Sequence, residues 1–197
     1  MIPAQNEPGL NGGFTIYSRV FQPISCFSVM SKPFVAVLMG SDSDLPVMQA
    51  TLDVLRSLEI PFEVKITSAH RTPAATHGYV TQADERGCAV FIAAAGLAAH
   101  LAGAVSAATL KPVIGVPLDA GPLKGMDSLL STVQMPGGIP VATVAIGKTG
   151  ARNAAYLAAQ ILALGDADLA ARIRAEREAN ARAVIEKDQR LQADLDG

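Results

Sequence analysis

The chain reads as an α/β fold built on a central parallel sheet, and three features carry that reading. Short apolar runs of strand length alternate with helix-length segments across residues 34–164. The first run, 35–39, is apolar throughout, as expected of a strand buried on both faces. Turn-forming residues such as Gly40, Ser41 and Gly87 punctuate the changes of pattern. Strands alternating with helices give a parallel sheet with right-handed crossovers, covered on both sides.

After the first strand, Gly40-Ser41-Asp42-Ser43-Asp44 is a turn able to cap a helix, whose apolar stripe is Val47, Ala50, Val54, Leu55 and Leu58. Residues 62–67 alternate and form the second strand. Pro73 opens a helix over 73–86, and Gly87 stops it. A third strand covers 90–94, followed by an alanine-rich helix over 98–109. Strands four and five fall at 113–116 and 141–146, with a short helix over 126–133 between them. A further helix runs over 149–164. Its alanine density, shared with 98–109, allows close helix packing and suits a tight oligomer. The tail, 166–195, is charged and has neither Gly nor Pro. Its thin apolar stripe (Leu169, Ile173, Val184, Leu191, Leu195) fits a surface helix or one that reaches a neighbouring subunit.

A chain of 197 residues suffices for one domain with a real core plus an extra segment. Its 50% hydrophobic content excludes general disorder, and no apolar run reaches membrane length. The net charge is −2, from 16 basic and 18 acidic residues, and 14 of these charges lie in the last 32 residues. The body is therefore lightly charged without a basic stripe, which argues against nucleic-acid binding. Cys26 and Cys88 lack metal-ligand spacing, and Cys88 opens an apolar run, so a buried thiol in a reducing, cytoplasmic setting is expected. Residues 1–33 mix Pro3, Pro8, Pro23 and Pro33 with Asn11-Gly12-Gly13 and show no periodicity. They read as a loose extension, unlike a secretory signal and poor in arginine for a transit peptide, with the functional domain, 34–165, beginning just beyond Met30.

The chemistry concentrates where strands hand over to helices, the edge at which open α/β sheets bind ligands. In the second such loop, Ser68-Ala69-His70-Arg71-Thr72-Pro73, a proton carrier stands beside an anion clamp. That pairing fits proton transfer on a phosphorylated small molecule. In the first loop, Ser41 and Ser43 offer hydroxyls at a helix N-terminus and Asp44 can accept from sugar hydroxyls, although an ordinary helix cap explains these residues as well. The third loop, Ala94-Ala95-Gly96-Leu97-Ala98-Ala99-His100, is small and apolar, which lets backbone amides approach a ligand in a dry pocket. Taken alone, His100 reads more readily as a satisfied buried histidine than as a site residue, and His77 as plain surface. Gly147-Lys148-Thr149 lies between a strand and a helix as a P-loop would, but Ala142 occupies the place of the required first glycine. No GxGxxG is present, and the three histidines have no ligand spacing, so neither a dinucleotide nor a metal is indicated.

Beyond these loops, further blocks stand in fixed order: Met39-Gly40-Ser41-Asp42-Ser43-Asp44, the His70-Arg71 loop, Ala98-Ala99-His100-Leu101, Pro112-Val113-Ile114-Gly115-Val116-Pro117, Asp127-Ser128-Leu129-Leu130-Ser131 and Val133-Gln134-Met135-Pro136. With them, residues 34–165 resemble the N5-carboxyaminoimidazole ribonucleotide mutase family of purine biosynthesis. The resemblance implies a flavodoxin-like three-layer sandwich, a homo-octamer whose C-terminal helix (166–197) packs on neighbouring subunits, and no cofactor. It implies transfer of a carboxylate from the exocyclic nitrogen of the imidazole ribonucleotide to a ring carbon. It also implies a working link to an ATP-dependent synthetase that makes the carbamate. By the same resemblance His70 matches the catalytic acid/base, and Ser41, Asp44 and Arg71 match ribonucleotide-binding positions. Ser43, Ser68, Gly96 and His100 fall in the same pocket. The chain departs from the family at Ala94 and Leu97, usually glycine, at Ala102, usually proline, and at Leu45, frequently tryptophan. Leu97 matters most, because its side chain can narrow the pocket or shift a backbone donor. Two other activities suit the same residues: direct carboxylation of aminoimidazole ribonucleotide, and ribonucleotide binding without catalysis.

Overall fold

The structure, a computed structural model, describes residues 32–196. Most of the N-terminal extension expected over 1–33, and Cys26 with it, lies outside the described residues. Five strands form one parallel sheet: β1 (Phe34–Met39), β2 (Phe62–Ile66), β3 (Cys88–Ala95), β4 (Val113–Pro117) and β5 (Ala142–Thr143). Their order is β2-β1-β3-β4-β5, with every neighbouring pair parallel. This is the flavodoxin-like order, in which the chain reverses direction between β1 and β3 and opens a crevice at the strands' carboxyl ends.

The alternation of side chains along each strand divides the core into two layers. Val35, Val37 and Met39 of β1, with Val90 and Ile92 of β3, face α1 (Leu45–Ser57) and α5 (Gly147–Leu162). Ala36 and Leu38 of β1, with Phe91 and Ala93 of β3, face α2 (Pro73–Glu85) and α3 (Leu101–Ser106). On α5, Ala151, Ala154, Ala155, Ala158 and Ala159 are all buried. Such small side chains let α1 approach closely, and the Thr51 hydroxyl donates to the Ala151 carbonyl across that contact at 2.7 Å. The helix α4 (Met126–Val133) is tied to β4 by Ser128, whose buried hydroxyl donates to the Leu118 carbonyl at 2.8 Å.

Two elements are shorter than their sequence pattern predicts. The helix expected over 98–109 is reduced to α3, because Leu97 adopts a left-handed backbone (φ 55°) just before it. At the far end the Thr109 hydroxyl is engaged by Asp84, at 2.8 Å, instead of continuing a helix. The strand expected over 141–146 keeps ladder pairing only at Ala142 and Thr143, which face Ile114 and Gly115. The chain then folds so tightly into α5 that a Cβ on Gly150 would lie 1.5 Å from the Ala145 carbonyl oxygen. Gly87 ends α2 as expected, with φ 94°.

The last helix, α6 (Ala167–Asp196), begins on the domain and then leaves it. Leu169 and Ile173 are buried with the α1–α5 layer, and Arg172 donates to the Leu58 carbonyl at 3.1 Å. Glu176 accepts a hydrogen bond from Tyr156. Beyond it α6 is exposed, including Val184, Leu191 and Leu195. Among the described residues no helix is long and apolar enough to cross a membrane.

Candidate active site

Three strand-to-helix loops and the segment after β4 surround a crevice of about 430 Å³ at the carboxyl end of the sheet. The first loop is preorganised by its own hydrogen bonds. Ser41 caps a short 3₁₀ turn, Asp42–Asp44, in a reciprocal box: its hydroxyl accepts from the Ser43 amide at 3.2 Å, and Asp44 accepts from the Ser41 amide at 3.0 Å. Ser43 in turn donates its hydroxyl proton to Ser41 at 2.8 Å. The two hydroxyls therefore stand side by side at the N-terminal end of the turn that leads into α1. Burial is the main cause that pushes the Asp44 carboxyl above its ordinary value, with the Asp42 charge adding to it and the amides of Ser41 and Gly40 opposing it.

The second loop is a hydrogen-bonded knot. The Ser68 hydroxyl accepts from the Arg71 amide at 3.1 Å, and the Thr72 hydroxyl accepts from the Ser68 amide at 2.9 Å. Below it Thr67 and Thr76 share a buried hydrogen bond of 2.7 Å. This knot turns His70 and Arg71 into the crevice. Arg71 donates one guanidinium proton to the Gly40 carbonyl at 3.1 Å, which lays its fork across the opening of the first loop. Among the described residues no carboxylate is paired with it.

His70 Nε2 lies 2.7 Å from His100 Nδ1, with the rings edge to face, 4.9 Å between centroids. His100 is thus exposed and lines the crevice, the placement that the family resemblance implies, and not the buried, satisfied one that the residue suggests when taken alone. The reason is local: α3 starts only at Leu101, so His100 sits at the cap, outside the packed turns. His77 is exposed on α2, as expected.

All eight residues singled out in the sequence line this one crevice: Ser41, Ser43 and Asp44 from the first loop, Ser68, His70 and Arg71 from the second, Gly96 and His100 from the third. The sequence reading missed Ala120, which reaches the crevice from the segment after β4. A Cβ on Gly96 would lie 2.6 Å from the Ala120 Cβ, so this glycine is what lets the two loops meet. The signal that points to Ala120 is its place just beyond a strand's carboxyl end, the edge that carries sites in this topology. Gly147-Lys148-Thr149 starts α5 and does not line the crevice.

The wall made by the first two loops offers hydroxyls, helix-end amides and a guanidinium, the donors that bind a phosphate. The opposite wall, with Ala95, Leu97, Ala98, Leu101 and Ala120, is apolar. The histidine pair stands between them. An open parallel sheet with such a site at its β1/β3 switch point defines a small-molecule enzyme of the flavodoxin-like class.

Comparison with known proteins narrows this class. The family model described as AIR carboxylase matches residues 34–183. N5-carboxyaminoimidazole ribonucleotide mutase of Bacillus subtilis is 52% identical over 160 residues, covering 81% of this chain and 99% of that protein. The mutase of Mycobacterium tuberculosis is 54% identical over 161 residues, covering 82% and 91% respectively. The crystal structure of Treponema denticola PurE superposes with a TM-score of 0.74 at 31% identity, covering 81% of this chain and 99% of that one. The chain belongs to the AIR carboxylase family.

Proposed function

We propose that this protein interconverts N5-carboxyaminoimidazole ribonucleotide and 4-carboxy-5-aminoimidazole ribonucleotide in purine (IMP) biosynthesis, as an isomerase with His70 as the acid/base. The observation that carries the reading is the histidine pair, His70 Nε2 to His100 Nδ1 at 2.7 Å, inside the crevice that also presents Ser41, Ser43 and Arg71.

The chemistry follows from these placements. Ser41, Ser43 and Arg71 hold the phosphate, and Asp44, whose carboxyl burial pushes above its ordinary value, meets the ribose hydroxyls. The imidazole then lies toward the apolar wall, beside His70. His70 gives a proton to the carbamate nitrogen as the nitrogen–carboxyl bond breaks. The bonding pair stays on nitrogen, and carbon dioxide is left next to the ring. The electron-rich ring carbon attacks that carbon dioxide and forms the new carbon–carbon bond. His70 recovers a proton from the same ring carbon, so atoms and electrons balance over the cycle. Holding the two fragments together replaces a bimolecular capture by an intramolecular one. One shared proton joins the two histidines, so one member of the pair donates and the other accepts. His100 accordingly fixes the tautomer and orientation of His70.

Several wider features belong to the same proposal. The family resemblance supports a homo-octamer, and the exposed apolar side chains of α6 (Val184, Leu191, Leu195) and of α4 (Met126, Leu130, Val133) suit subunit contacts. The segment 34–165 is then the catalytic domain, and α6 is the arm that packs on a neighbouring subunit. Because the substrate is a carbamate, an ATP-dependent synthetase has to supply it. The expected compartment is the cytoplasm.

The test is His70→Asn beside wild type, with the N-carboxylated ribonucleotide as substrate. Turnover falls by about 10²–10⁴-fold, the usual share of a general acid/base. Ribonucleotide binding, followed calorimetrically, is retained. If wild type and variant bind the ribonucleotide and are equally inactive, the protein is a binding module.

A further inference from the structure

For a phosphate site, the first loop carries one charge of the wrong sign. Asp42 stands in sequence between Ser41 and Ser43, the two serines given to the phosphate above, and it is exposed. Its Oδ1 accepts from the Ser41 hydroxyl at 3.1 Å and from the Ser43 amide at 3.0 Å. A serine hydroxyl has one proton to give. That of Ser41 goes to Asp42, and that of Ser43 goes to Ser41 at 2.8 Å. The loop therefore satisfies its own donors, and an arriving phosphate has to win them back. Among the described residues no cation pairs with Asp42, since Arg71 bonds instead to the Gly40 carbonyl. Nor is this carboxylate needed for the turn, because the reciprocal cap is made by Ser41 and Asp44. Its charge is felt across the loop: burial, and after it the Asp42 charge, raise the Asp44 carboxyl.

We infer that Asp42 loosens the phosphate grip, by competing with the ligand for the Ser41 and Ser43 donors and by repelling its charge. The inference deepens the mutase reading above and rests on it for the ribonucleotide. In that reaction the phosphate is the same group in substrate, transition state and product. Binding it more tightly lowers KM without raising kcat, and it holds product as firmly as substrate. Two hydroxyls and an arginine fork grip a phosphate strongly. One opposing carboxylate in the same loop trims that grip evenly at every stage, so that product can leave. Asp42 does not itself line the crevice. It acts through Ser41 and Ser43, as a positioning residue.

The test titrates inorganic phosphate and aminoimidazole ribonucleotide calorimetrically into wild type, Asp42→Asn and Asp42→Ala. Asparagine keeps an acceptor for Ser41 and Ser43 and removes the charge, whereas alanine removes both. Each variant binds both ligands about tenfold tighter than wild type, the size expected for one unit charge taken from beside a phosphate in a half-solvated loop. The factor is the same for the two ligands, and alanine gains at least as much as asparagine. With the N-carboxylated ribonucleotide as substrate, KM falls by a similar factor and kcat does not rise, a split that mere damage to the loop would not produce. Asp53→Asn, which removes an exposed charge from α1, leaves both dissociation constants unchanged. An Asp42→Asn protein that binds phosphate and ribonucleotide no tighter than wild type overturns the inference, while turnover of the carbamate keeps the mutase reading. Tighter phosphate binding in a protein that converts no carbamate supports the competition at the loop and overturns the mutase reading itself.

Discussion

On the wall formed by the first two loops, the hydroxyls of Ser41, Ser43, Ser68 and Thr72 and the amides around them already hold one another. On the wall formed by the third loop and the β4 segment, position comes from shape: Gly96 against Ala120, Leu97 against Gly121. The first wall is held by its own hydrogen bonds before any ligand arrives, which suits the phosphate grip proposed above. The second presents few polar atoms, which suits the neutral fragment of the proposed reaction. On the proposed reading, the difference teaches that a crevice of this size divides its work by polarity, with fixed donors for binding and close-fitting small residues around the reacting groups.

The largest effect is expected where the walls meet. His100→Ala frees the His70 ring, and turnover falls by about 10²-fold, the cost of a small misplacement of a reacting group. The KM changes little, which steady-state kinetics separates from a binding defect. A variant with normal turnover would leave His70 independent of the apolar wall. Arg71→Ala acts on the polar wall alone. Removing a hydrogen bond to a charged group costs about 1.5–3 kcal/mol, so ribonucleotide binding weakens by roughly tenfold to a hundredfold in titration calorimetry.

The apolar wall is probed by Gly96→Ala, whose new Cβ meets the Ala120 Cβ at 2.6 Å. Overpacking of this kind costs about 1–3 kcal/mol in a denaturant midpoint. Adding Ala120→Gly restores the stability, because the clash is with that methyl group. The smallest effect lies away from both walls, at the outer strand β2. Hydrogen bonds from Arg86, with Tyr79 assisting, hold the Glu63 carboxyl below its ordinary value. A lowered carboxyl contributes stability above its ordinary range and loses it as pH falls through the lowered value. The pair is half in solvent, so Glu63→Gln costs only about 0.2–1 kcal/mol at neutral pH. Melting curves of wild type and variant converge in acid.

How far the sequence carried this account depended on the kind of signal. The strands were legible because β1 and β3 are buried on both faces and read as continuous apolar runs. Glycine and proline marked both ends of α2, which begins at Pro73 and stops at Gly87. The polar wall was legible from the residue types in the first two loops. The apolar wall was legible only in part: the third loop read as small and apolar, but the share of Ala120 was not, since only tertiary contact sets Leu97 on Gly121 and Ala120 on Gly96. His100 is ambiguous from its residue type alone and is placed in the pocket only by the family resemblance, since the alanine-rich helical pattern runs through it, whereas α3 starts only at Leu101. Propensity also overextended the fifth strand, because how soon the chain departs for α5 is decided by the close approach of Gly150 to Ala145.

The most direct measurement offers wild-type protein two substrates without added bicarbonate: the N-carboxylated imidazole ribonucleotide, and aminoimidazole ribonucleotide alone. Wild-type protein is expected to convert the first to the 4-carboxy product and to leave the second unchanged. Consumption of aminoimidazole ribonucleotide by whatever carbon dioxide is present, with the carbamate untouched, would contradict it and make the protein a direct carboxylase.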